Sequence, residues 1–146
     1  MLVLDDIVKL WNYRDDRFAV QVVKHDHVPN EDKKFLGAPQ TRYEKKNWSS
    51  VMLINCEKCS ALTLEYVNTA SGLDLHRFNW LTDDCLIGEI PKTWNHLVAY
   101  DMSAPSNSIS NLHFTSGGPY YNEYKNTDYA SEWFRERDQM LHCEQL

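Results

Sequence analysis

The pattern of apolar and polar positions marks out a chain of short elements. Met1 to Leu4 reads as a buried strand, and Asp5-Asp6 as the polar turn that starts a helix. That helix runs from Asp6 to Trp11, with Asp5 or Asp6 as its N-cap. Phe18–Lys24 (FAVQVVK) and Trp48–Asn55 (WSSVMLIN) are rich in β-branched and aromatic residues between polar segments, the signature of strands. The second is almost continuously apolar from Val51 to Ile54, which predicts a central strand covered on both faces.

Between them lies a polar stretch, His25 to Asn47. Loops of this length are usually functional or disordered, and Phe35, Leu36 and Tyr43 predict an ordered flap. Thr63 followed by Leu64-Glu65-Tyr66-Val67 predicts a capped helix, closed by Gly72. Leu112–Thr115 reads as a short strand, with Ser116-Gly117-Gly118-Pro119 as a tight turn directly after it. A last helix, capped by Thr127 or Asp128, places Ala130, Trp133, Phe134, Arg137, Met140 and Leu141 on one face, a stripe that predicts core packing. Strands and helices mixed in this way indicate one α/β domain over residues 1–146.

Composition narrows the class. The 146 residues, 42% hydrophobic with five tryptophans, are enough for one folded core, and a mean hydropathy of -0.57 excludes a membrane class. No apolar run approaches the roughly 20 residues of a membrane span. The start lacks the basic-then-apolar order of a secretory signal, which predicts a cytoplasmic location. A net charge of -6 argues against nucleic acid as partner. Lys33-Lys34 and Lys45-Lys46 are basic spots flanked by acids, and read as a solvated loop.

Candidate chemistry is sparse on the residues alone. Cys56 and Cys59 form a lone CxxC without a regular second pair, so reduced, partly buried thiols are the first reading and zinc the second. His25-x-His27 is a poor chelate on extended chain, because alternate residues point to opposite sides. The glycines after Leu112–Thr115 allow close backbone approach, successive amides there could form an anion-binding nest, and His113 stands beside them. An ordinary Ser-Gly-Gly turn next to a satisfied histidine is the competing reading. Asp83-Asp84, between Trp80 and Trp94, is either a helix cap or a carboxylate pair in a cleft.

Taken in order, MLVLDDIVKLW, KNWSSVMLINC, LTDDCLIGEIPKTWN and NLHFTSGGPYY resemble nucleotide-sugar glycosyltransferases of family eight, the glycogenin and lipopolysaccharide galactosyltransferase type. The pattern is nearer still to uncharacterised bacterial and phage members. The resemblance implies the later part of a GT-A fold, a Rossmann-like α/β domain, incomplete at its N-terminus. It implies a metal, manganese or magnesium, held by an Asp-x-Asp motif whose matching acids would fall before Met1; Asp5 and Asp6 are not their equivalents. His113 matches the family's third metal ligand. Gly117 and Gly118 match the turn at the diphosphate, with Gly118-Pro119-Tyr120 in place of the family's Lys-Pro-Trp, so the diphosphate lysine is missing. Trp48, Ser49 and Ser50 fall on the donor-sugar side. Asp83 matches the acid near the reacting carbon, and Asp84 replaces a glutamine. The implied function is transfer of a sugar from a nucleotide sugar, UDP-linked by family habit, to a glycan or other acceptor. Without the preceding acids the chain alone is expected to show little activity. A non-catalytic carbohydrate- or protein-binding remnant is the alternative, and open sheet edges predict self-association.

Overall fold

The structure is a computed structural model that describes residues 1–30 and 32–143. Two small mixed sheets organise the chain. In the first, β2 (Val20–Val22) is central, antiparallel to β3 (Met52–Ile54) and parallel to β4 (Ile87–Glu89). In the second, β6 (Asn111–His113) is central, antiparallel to β1 (Leu2–Val3) and parallel to β5 (His96–Leu97). Parallel neighbours need a crossover. The one from the first sheet's antiparallel pair to β4 carries α2 (Leu64–Thr69) and α3 (Gly72–His76).

The apolar residues of the strands close three contiguous clusters. One face of the first sheet packs Ala19, Val20, Val22 and Ile87 on Phe78 and Trp80. On its other face, Val23, Ile90 and Trp94 meet Leu10 of α1 (Ile7–Trp11), with Val51 and Leu53 alongside. Val98, Ile109 and Leu112 form the third, around the second sheet. Each fully buried large side chain of this kind contributes about 1.5–3 kcal/mol. Gly88 is required by packing: a Cβ there would run into the Phe18 ring and stand 2.8 Å from Gln21 Cγ.

Local signals that depend on a few neighbours are realised. Asp6 caps α1 by accepting from the Val8 amide at 2.9 Å, and Thr63 caps α2 by accepting from the Tyr66 amide at 3.1 Å. The described residues of the 25–47 stretch form a flap against the rest of the chain: its Phe35 amide donates to the Ser116 carbonyl at 3.1 Å, and the Phe35 ring stacks on Tyr121 at 5.0 Å.

Five expectations are corrected. Trp48–Ser50 is a 3-10 turn entered through Asn47 in the left-handed region (φ 67°), so the second predicted strand keeps only Met52–Ile54. That strand lies at a sheet edge, because β4 occupies the other side of β2; Val51 and Leu53 reach the core while Met52 and Ile54 stay exposed. The opening strand is likewise an edge, with Met1 and Val3 more than half exposed. Gly72 opens α3 behind the Ser71 cap instead of closing α2. The stripe on α4 (Ala130–Cys143) is not core: Met140 and Leu141 are exposed, and Trp133 is half-buried against the exposed Tyr120. Among the described residues no helix is long and apolar enough to cross a membrane.

Candidate functional site

Where the flap crosses the open end of β6 it encloses a polar pocket of about 230 Å³. Lys34, Gln40, Tyr43, Lys46 and Asn47 come from the flap, Ser49 and Ser50 from the turn after it, His76 from α3, and His113 and Thr115 from β6 and its exit. Three of the residues singled out in the sequence, Ser49, Ser50 and His113, are therefore brought together. Ser49 Oγ lies 2.7 Å from His76 Nδ1, and Thr115 Oγ1 donates to Asn47 Oδ1 at 3.2 Å.

Asn95 holds the pocket floor. It is fully buried, and its Nδ2 donates to the Asn47 carbonyl at 2.9 Å. That bond fixes the amide so that Oδ1 faces His113 Nδ1 at 3.0 Å. Oδ1 can only accept, so His113 carries its proton on Nδ1 and keeps the Nε2 lone pair. Burial pushes the His113 pKa down to about 4, helped by the Met1 amine, His25 and His27. Met1 follows from the β1 register as the residue opposite His113.

Lys34 and Lys46 both line this pocket. Lys46 is buried, bonded to the Thr41 carbonyl and to Gln40 Oε1 at 3.3 Å, with its ammonium 5.0 Å from the Tyr43 ring. Burial first, then the neighbouring Lys34 charge, lowers its pKa. Among the described residues neither lysine has a carboxylate partner. The solvated-loop reading of Lys45-Lys46 is thus corrected: Lys45 also turns in, donating to the Arg77 carbonyl at 3.0 Å and pairing with Asp84 at 2.5 Å.

The other singled-out residues lie elsewhere. Asp83 caps the 3-10 turn Asp84–Leu86, accepting from the Cys85 amide at 2.7 Å, which lowers its pKa. Neither Asp83 nor Asp84 lines the pocket; Asp84 touches its wall only through Lys45, the neighbour of Lys46. Trp48 is committed to structure, donating from Nε1 to the His25 carbonyl at 2.8 Å. Gly117 and Gly118 are buried: a side chain at Gly117 would strike Tyr124, and one at Gly118 would strike Tyr120. Cys59 donates to the Ala19 carbonyl at 3.3 Å, and Cys56, Cys59 and Cys85 are free thiols.

Among the described residues, His113 has no carboxylate at hand for a metal. Its titratable neighbours are His25, His27 and the Met1 amine, and among the described residues no group of three or more His, Cys, Asp or Glu could hold an ion. The described residues do not fit the manganese or magnesium that the resemblance implies.

Fold and pocket together define a small mixed α/β chain with a cation-lined polar site. Over 143 residues it is 41% identical to Protein CDI of Arabidopsis thaliana, a match covering 94% of this chain and 55% of that protein. The chain spans about half the length of the curated relative it matches. No protein-family model matches it. No solved structure matches it. These comparisons overturn the resemblance to family-eight glycosyltransferases and to bacterial and phage members: the relative found is a plant protein of another name, and no glycosyltransferase family stands behind the match.

Proposed function

We propose that the pocket binds the phosphate-and-sugar part of a nucleotide sugar, with UDP as the nucleotide and a glycan or other hydroxyl compound as acceptor, in a cytoplasmic sugar transfer. The observation that carries this reading is the convergence of Lys34 and Lys46, without carboxylate partners among the described residues, on a pocket lined by Ser49, Ser50, Asn47 and Thr115. Unneutralised ammonium groups beside hydroxyl and amide groups suit a phosphate oxygen and the hydroxyls of a sugar ring. Three free thiols suit a reducing compartment. In the same reading the two sheets form the later part of a GT-A-type nucleotide-sugar fold.

Breaking a sugar–phosphate bond develops negative charge on the leaving diphosphate, and Lys34 and Lys46 are placed to stabilise it. His113 Nε2, with its lone pair kept free by Asn95, accepts a hydrogen bond from a sugar hydroxyl. Asp83 and Asp84 stand outside the pocket and take no step here.

Calorimetric titration with UDP tests the reading. Binding that Lys46→Met weakens at least tenfold, about 1.4 kcal/mol, while the unfolding midpoint stays within a few degrees, is the expected result. Wild-type protein that takes up neither UDP nor inorganic pyrophosphate at millimolar concentration refutes it.

A further inference from the structure

β3 is an edge strand of the first sheet. The Ile90 amide donates to the Val22 carbonyl at 2.9 Å, so Val22 turns its main chain toward β4 and Gln21 turns toward β3. Leu53 is the partner of Gln21, and alternation then points the N–H and C=O groups of Met52 and Ile54 away from the sheet. The side chains of both are exposed, at 39% and 42%. Within Met52-Leu53-Ile54 there is no lysine, proline or bulge to block edge pairing; its guard is its length of three residues.

Helix α1 extends this surface. Leu10 points into the core, and at 100° per residue Ile7, Trp11 and Val8 follow round one side of it in a single arc. Trp11 lines one groove with Leu53 and Ile54, so the arc opens on the β3 side. Ile7, Val8 and Trp11 are 58%, 60% and 57% exposed. With Met52 and Ile54 these side chains leave on the order of 500 Å² of mostly apolar surface open, and the edge backbone and groove rim add to it. A standard interface takes about 800 Å² from each partner.

We propose that this face joins two copies of the chain across a two-fold axis at Leu53, β3 pairing antiparallel with its counterpart. The edge is self-complementary: Met52 of one copy falls opposite Ile54 of the other, and each residue offers one donor and one acceptor. No charge on β3 opposes its like. The groove rim carries both signs, Arg14 and Lys58 with Asp15, Asp16 and Glu57, so apposed rims can match.

Sedimentation velocity from 1 to 100 µM tests the proposal, with hydrogen exchange at Met52–Ile54. A species of twice the 17.2 kDa chain mass, with protected Met52 and Ile54 amides, is expected. Ile54→Lys and, independently of the strand, Trp11→Glu should each weaken association at least tenfold with the far-ultraviolet circular dichroism unchanged. A monomer at 100 µM overturns the proposal, as does a dimer that both variants leave intact. So does a monomer whose edge becomes protected only on adding the part of Protein CDI that lies outside the match.

Discussion

Acid should loosen this fold well above the pH at which its carboxylates titrate. His25 is buried with Nε2 unpartnered, and burial holds its pKa at about 4; His113 is held at about 4 for the same reason. Both lie below the unfolded value of about 6.5. The unfolded chain therefore binds protons first, and stability that is complete above about pH 7.5 declines as the pH falls through 6.5. At pH 5.5 the two depressed values give a loss on the order of 1 kcal/mol for each histidine, about 2–3 kcal/mol together. That is a large share of the 5–15 kcal/mol typical of a domain. His27 and His96, also lowered by burial, act in the same direction. The lowered carboxylates, Asp15 at about 2 foremost, lose their contribution only at lower pH, so the window from 7.5 to 5.5 isolates the imidazoles. With a urea slope of about 1.5 kcal/mol/M, the unfolding midpoint should drop by about 2 M across that window. His25→Phe should remove roughly half of the drop. An equal midpoint at pH 7.5 and 5.5, or a full drop in His25→Phe, would refute the reasoning.

Two further outcomes are expected. Gly88→Ala forces a methyl into the Phe18 ring and should cost about 1–3 kcal/mol in urea unfolding; Phe18→Leu should recover part of it, and strict additivity in that double-mutant cycle would contradict the packing described. Asn95→Ala strands His113 Nδ1 and the Asn47 carbonyl, so a loss of about 1–3 kcal/mol is expected. Nitrogen-15 shifts of His113 should then show a mixture of tautomers where the parent shows the Nδ1-protonated form; an unchanged spectrum would remove Asn95 from its positioning role.

What the sequence disclosed was local. Asp6 and Thr63 cap helices because an N-cap needs only an acceptor and the amides two or three residues on. The kernels Val20–Val22 and Met52–Ile54 follow from β-branched and apolar runs. The neighbour of each strand did not follow, since an apolar run has the same appearance at a centre and at an edge, and β4 claimed the side of β2 that decides the matter. Ser49, Ser50 and His113 do share a pocket, whereas Asp83 and Asp84 sit outside it. Lys34 and Lys46 were missed because Asp32 and Glu44 beside them give the look of a solvated loop. Only the folded flap brings those charges to the pocket. The aromatic residues Phe35 and Tyr43 within the basic stretch were the available hint, and they anchor it.

The hold on Phe35 has a thermodynamic consequence. The main-chain bond of Phe35 to Ser116 and its ring stack on Tyr121, with the Asn47 bonds to Asn95 and Thr115, dock the segment that bears both cations. For the anion binding proposed above, ligand affinity and flap docking would be a single equilibrium: the apparent dissociation constant would be the intrinsic one divided by the docked fraction. A bound anion would tighten the flap by the same factor that the docked flap tightens the anion. Residues that never touch the ligand can in this way set how strongly it is held.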